Sequence, residues 1–260
     1  MFRSVPAGQW LCPARRGIAR AVCAGAAAGI ALTTTGLTGT SAVAAAAAAA
    51  ARQTTGPPIY TANWAGYQAG GDRWFRFVST TLTVPDVTNG KDHSMADIAL
   101  NGSDPNWFAD ITVVPGGGPG SVLYQDPLTN FFNLSPDVGD QLAISIFYDQ
   151  HGHNFYTATD LTQGTAQTVR AKAGSPVYTT AWLRGLRSDP LDPPPADIRL
   201  WHFTGSHLTT YAGVHGTILG PWTTSELIAT TDGTASGEVL MSPSSLRDGG
   251  QNFGVWLRHP

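Results

Sequence analysis

The chain has 260 residues, of which 42% are hydrophobic and 13% charged, with fifteen basic residues, eighteen acidic ones and a formal net charge of −3. Its only lysines are Lys91 and Lys172, and this acidic balance excludes a nucleic-acid binder that works through a basic face. Both cysteines, Cys12 and Cys23, fall near the N-terminus, so the bulk of the chain cannot rest on disulfides and must bury a core, for which its length suffices.

The first fifty residues hold Arg3, Arg15, Arg16 and Arg20 and no acid, and a run of Ala, Gly, Ile, Leu and Thr fills 21–37. A basic stretch followed by an apolar one is the pattern of a signal peptide. Ala42-x-Ala44 supplies the small-residue exit, so residues 1–44 read as a removable leader. The alternative, a membrane anchor, suits an alanine- and threonine-rich run poorly. Arg15-Arg16 fits twin-arginine as well as general export, and Arg20 spoils a lipid attachment at Cys23. Removing the leader leaves eleven basic residues against eighteen acidic, a net charge of −7. The expectation is a secreted monomer with no membrane contact once the leader is gone.

Residues 45–59 read as a flexible linker, with ordered structure starting near Tyr60 and one domain spanning 60–260. Gly, Pro, Asn and Asp then recur between short runs of β-branched and aromatic residues, the punctuation of an all-β sandwich or barrel. Within Arg73–Val84, Leu82 and Val84 alternate with Thr81 and Thr83, so one side of that strand is wet. Gln141–Tyr148 alternates in the same way and returns through Asn154–Thr159, which predicts a hairpin across Asp149–His153. Further strands are expected at Val177–Leu183, Asp197–Phe203, Glu238–Met241 and Asn252–Leu257, and Pro190–Pro195 reads as a stiff surface loop. No repeat or second domain is evident.

Little standard chemistry is written in this sequence. His151-Gly152-His153 could begin a metal site, but a hairpin tip explains it without one and no further ligand is fixed by spacing. His202, His207 and His215 are scattered over a β region. There is no Gly-x-Ser-x-Gly elbow and no Asp-Thr-Gly, and Gly116–Gly120 lacks the following Lys and helix of a phosphate loop. No cofactor or metal is expected. Carboxylate acid–base chemistry remains, with sixteen aspartates but only Glu226 and Glu238 as glutamates.

Asn63-Trp64-Ala65-Gly66-Tyr67, followed by a β-run ending Leu82-Thr83-Val84-Pro85, resembles the opening of the glutamic peptidases, or eqolisins. In the same order, Ile98–Gly102 is similar to that family's Val-Gly-Ile-Asp-Gly turn and Pro136–Leu142 to its Pro-Gly-Asp strand entry. Ser242–Leu246 with Gly250–Trp256 resembles its closing strand. The resemblance implies a concanavalin-like jelly-roll β-sandwich of two bent antiparallel sheets, with a concave face as substrate groove. It also implies an acid endopeptidase, in which a glutamate activates water and a glutamine side chain stabilises the oxyanion. By position it points to Trp64, Asp97, Tyr124 and Trp182 as groove residues.

The chain departs from its family where the chemistry should be. No glutamine stands near Ala109-Asp110-Ile111, where the catalytic one is expected, and Asp110 is the nearest polar residue. Ala181-Trp182-Leu183-Arg184-Gly185 resembles a Glu-Trp-Ile-Val-Glu strand with both glutamates gone. Leu123-Tyr124-Gln125-Asp126 resembles a Trp-Tyr-Glu strand in which Gln125 replaces the acid. Two readings follow. A rewired peptidase would use Asp110 for proton exchange, with Gln125 as neutral donor or Asp126 as second acid, on a polypeptide substrate. A non-catalytic groove would instead hold an extracellular peptide or polysaccharide on aromatics such as Trp74, Trp107, Tyr124 and Trp201. A third possibility, an extracellular structural or inhibitory partner, leaves no patch in the sequence to test.

Overall fold

The computed structural model describes residues 54–257 apart from 87–93, 104–107, 116–119, 127, 174–176 and 188–200. The leader, the Pro190–Pro195 loop, most of the 116–120 glycine run and Trp107 lie outside the described residues. Sixteen strands lie among the described residues: β1 (Ile59–Thr61), β2 (Trp64–Gly70), β3 (Phe75–Thr83), β4 (Ser94–Gly102), β5 (Phe108–Val114), β6 (Ser121–Asp126), β7 (Leu128–Phe131) and β8 (Gln141–Tyr148). After them come β9 (His153–Asp160), β10 (Thr165–Lys172), β11 (Tyr178–Arg187), β12 (Trp201–Thr210), β13 (His215–Gly216), β14 (Thr223–Thr230), β15 (Val239–Pro243) and β16 (Phe253–Leu257). No described helix is long and apolar enough to cross a membrane.

Period-two alternation drives these elements. β8 buries Leu142, Ile144, Ile146 and Tyr148, and β9 buries Asn154, Tyr156, Ala158 and Asp160. Their hairpin closes as expected. At its tip Asp149 Oδ1 accepts the amides of His151 at 2.7 Å and His153 at 3.0 Å, while Gln150 and Gly152 take positive φ. That Asx-type turn gives His151-Gly152-His153 a structural role.

The strands run in the order β10-β9-β8-β3-β12-β16-β15-β14-β2-β11-β4-β5-β6-β7. β1 lies parallel on β14, and the other ladders are antiparallel. The fold is thus the all-β sandwich that the alternation predicts. One layer contributes Phe75, Leu82, Leu142, Ile144 and Tyr156 to the core; the other contributes Tyr67, Ile98, Leu100, Ile111 and Leu183. Each such side chain stabilises the fold by about 1.5–3 kcal/mol, and with Cys12 and Cys23 both outside the described residues this core carries the described fold. Two polar contacts lie inside it: Asn154 donates to the Tyr178 hydroxyl at 2.6 Å, and the Thr80 and Ser206 hydroxyls meet at 3.0 Å.

Two differences from the sequence reading have local causes. Contact with the sheet begins before Tyr60, because Gly56 donates to the Thr224 carbonyl at 2.8 Å and Thr55 Oγ1 accepts the Thr224 amide at 3.1 Å. Ile98–Gly102 is the end of β4, paired on one side with β5 and on the other with β11, rather than a turn. Gly66 lies in mid-strand opposite Arg184, where a Cβ would stand 2.2 Å from the Leu183 carbonyl oxygen. Only glycine lets the two backbones approach so closely.

Candidate functional site

Strand register builds one continuous row across the second layer. Gln125 lies opposite Asp110, Asp110 opposite Ala99, Ala99 opposite Trp182, Trp182 opposite Gln68, and Gln68 opposite Ser225. Two residues along, the parallel row is Leu123, Thr112, Asp97, Arg184 and Gly66. The alternate residues of these strands, Tyr67, Leu183, Ile98, Ile111 and Val122, fill the core, so both rows stand on the face turned away from it. Asp110 and Gln125 form a directly opposed cross-strand pair, a placement that sets Cβ atoms about 5 Å apart.

Asp97 and Arg184 are 2% and 7% exposed and form a bidentate pair, with Nε to Oδ1 at 2.7 Å and Nη2 to Oδ2 at 2.8 Å. The guanidinium carbon also lies 3.9 Å from the Trp64 ring centroid and 4.3 Å from that of Trp182. Planar stacking of this kind suits arginine and would not suit lysine. Arg184 Nη1, Trp182 Nε1 and Asn101 Nδ2 are buried donors with no hydrogen-bond partner among the described residues. Donors of this kind call for an acceptor such as a peptide carbonyl.

Asp110 is 7% exposed and makes no hydrogen bond or ion pair among the described residues. Burial first, and the neighbouring Asp97 carboxylate second, push its pKa from the ordinary 3.8 up to about 8, with Arg184 opposing the rise. A carboxyl in this state is neutral at pH 7 and sits where it can exchange a proton near neutrality.

The structure brings Trp64, Asp97, Asp110, Gln125 and Trp182 to one face. Tyr124 is a correction: its ring turns to the core, 5.1 Å from Phe132 and 5.2 Å from Tyr156, because it alternates with Gln125 along β6. Trp201 is a second correction, since it is 1% exposed and belongs to the core rather than to a platform. Asp126 ends β6 opposite Leu128, and its side chain lies outside the described residues. Of Ala109, Asp110 and Ile111, only Asp110 faces outward. Ala181 and Gly185, matched above to the missing glutamates, face the core, where a Cβ on Gly185 would meet Val255 at 2.9 Å. The outward residues of that strand are Trp182 and Arg184. Glu226 pairs with Tyr67, on the opposite side of β2 from Gln68, and Glu238 is exposed at the entry to β15.

Sequence reasoning missed Arg184 as the organiser of this face. An arginine in the run Ala181-Trp182-Leu183-Arg184, in phase with a tryptophan, was the available signal. Among the described residues no group of three or more His, Cys, Asp or Glu could hold a metal ion. Two open cavities lie elsewhere: one of about 940 Å³ around Trp74 and Tyr211, and one of about 330 Å³ around His202 and Trp256.

The sequence matches no protein-family profile and no curated protein. Solved structures do match the fold. Scytalido-glutamic peptidase with a transition-state analog inhibitor aligns at a TM-score of 0.60 and 16% identity, over 76% of this chain and 100% of that one. SCP-B, a member of the eqolisin family in complex with the tripeptide Ala-Ile-His, aligns at 0.56 and 17% identity, over 76% and 100%. Aspergilloglutamic peptidase from Aspergillus niger aligns at 0.50 and 16%, over 65% and 100%. The chain therefore has the glutamic-peptidase fold.

Proposed function

We propose that this chain is a secreted, monomeric peptide hydrolase whose outward sheet face binds an extended polypeptide, with Asp110 as the proton-exchanging group and Gln125 as the neutral donor. The observation that supports it is the Asp110 carboxyl itself: buried, without a hydrogen bond, and directly opposed to an amide side chain. A buried polar side chain without a partner is destabilising, and a strongly perturbed carboxyl at such a position is the kind of group that acid–base chemistry uses.

Above about pH 8 ionised Asp110 takes a proton from a water as the water oxygen bonds to the scissile carbonyl carbon. The Gln125 amide donates to the oxygen on which negative charge develops. As the carbon–nitrogen bond breaks, protonated Asp110 returns that proton to the leaving amine. Asp97 does not serve as the base, because Arg184 occupies both its oxygens. Trp64 and Trp182 hold the guanidinium in place. The acid optimum implied by the resemblance is thereby displaced to neutral and alkaline pH.

The second reading, a groove that binds an extracellular peptide or polysaccharide without chemistry, draws on one observation. The second carboxylate on this face, Asp97, is fully engaged, so among the described residues the face has a single free acid. Incubation of a denatured protein with the wild type and with Asp110→Asn separates the two. Peptide fragments from the wild type alone support hydrolysis; intact substrate with a folded wild type at every pH supports binding.

A further inference from the structure

The larger cavity belongs to no part of the Asp110 face. It opens where the β2–β3 turn meets the turn after β12 and the segment leading into β14, and its volume of about 940 Å³ is at the upper end of the range for small-molecule sites. On its wall Trp74 is 52% exposed, an unusual state for so large an apolar ring. The ring is nevertheless held. Tyr211 stands edge-on to it at 6.2 Å and 90°, and the Tyr211 amide donates to the Trp74 carbonyl at 2.8 Å. Asp72, Arg73 and Thr223 line the same opening, are exposed, and have no side-chain hydrogen bond or ion pair among the described residues. Gly71, in the left-handed region at φ 110°, keeps the floor free of a side chain.

We propose that this cavity binds a neutral oligosaccharide, with one sugar ring stacked on Trp74. The fixed, exposed indole matches the apolar C–H face of a pyranose, and a carboxylate, a guanidinium and a hydroxyl on the rim match its equatorial hydroxyl groups. Asp72 and Arg73 are adjacent and opposite in charge, so the rim carries no net charge with which to select an ionic ligand. An extended peptide is disfavoured. β2, β3, β12 and β14, the strands that border these turns, are each paired on both edges and offer no open strand to extend. The site is independent of the hydrolysis reading and stands if that reading fails.

The test titrates the exported protein with cellohexaose, laminarihexaose, chitohexaose and mannohexaose, read by tryptophan fluorescence and calorimetry. At least one of them binds, and Trp74→Ala weakens that binding by about tenfold or more while the thermal midpoint stays unchanged. Trp74→Phe, which keeps a smaller ring, loses less. Absence of binding to all four sugars, or binding that is equally strong in Trp74→Ala, overturns the proposal.

Discussion

Asp110→Asn is expected to lower cleavage sharply and to make the protein increasingly more stable than the wild type as pH rises above 3.8. The folded-state pKa of Asp110 is about 8 and the ordinary value is 3.8. Between those two values the native state holds a proton that the unfolded chain has released, so stability falls as pH rises, by about 1.4 kcal/mol per pH unit. The favourable contribution is fully present below pH 3.8 and is lost by the time the pH has passed through about 8. Over the whole interval the loss reaches about 6 kcal/mol at most. An amide in place of the carboxyl never ionises, so the variant escapes this loss. Its unfolding free energy should match the wild type near pH 4, within about 1 kcal/mol, and exceed it by several kcal/mol near pH 9, as read from denaturant unfolding at both pH values. Cleavage should drop by about 10²–10⁴, the usual contribution of a positioned acid–base group. A gain in stability paired with a loss of activity is the signature of a residue kept for chemistry rather than for folding.

Arg184→Ala carries the second large effect, with the opposite sign. Removing one partner of a buried ion pair leaves the other uncompensated and typically costs about 3–5 kcal/mol. Here the two indoles that pack on the guanidinium lose their contact as well. Arg184→Lys should recover little, because an ammonium can neither bind Asp97 through two nitrogens nor lie flat on Trp64 and Trp182. Replacing both partners, as Asp97→Ala with Arg184→Ala, should be less destabilising than the sum of the single changes, since no buried charge is then stranded. Chemical denaturation of the single and double variants reads this coupling. If the effects are simply additive, the pair does not organise the face.

Much of this arrangement was readable from the chain. Alternation in Gln141–Tyr148 located β8 residue for residue, because one wet and one dry side leave a period of two in the sequence. The same rule explains Tyr124. Read as a groove residue beside Gln125, it had to face the other way once Gln125 and Asp110 were opposed. β10 and β14 escaped notice because their segments, Thr165–Lys172 and Thr223–Thr230, mix threonine with charged and small residues and show little apolar alternation. The union of Asp97 with Arg184 was hidden for a different reason. The two residues are 87 positions apart, and only the β4–β11 register brings them together. The raised pKa of Asp110 is likewise a property of burial and of that neighbouring pair, which no local motif records.

The pH dependence of kcat/KM for cleavage of a single peptide bond, measured from about pH 4 to pH 10, tests the central assignment most directly. The account predicts a limb that rises tenfold per pH unit and levels off near pH 8, the pKa of Asp110. A profile that peaks at acid pH and falls toward neutrality would contradict it, because a carboxyl still protonated there cannot be the base.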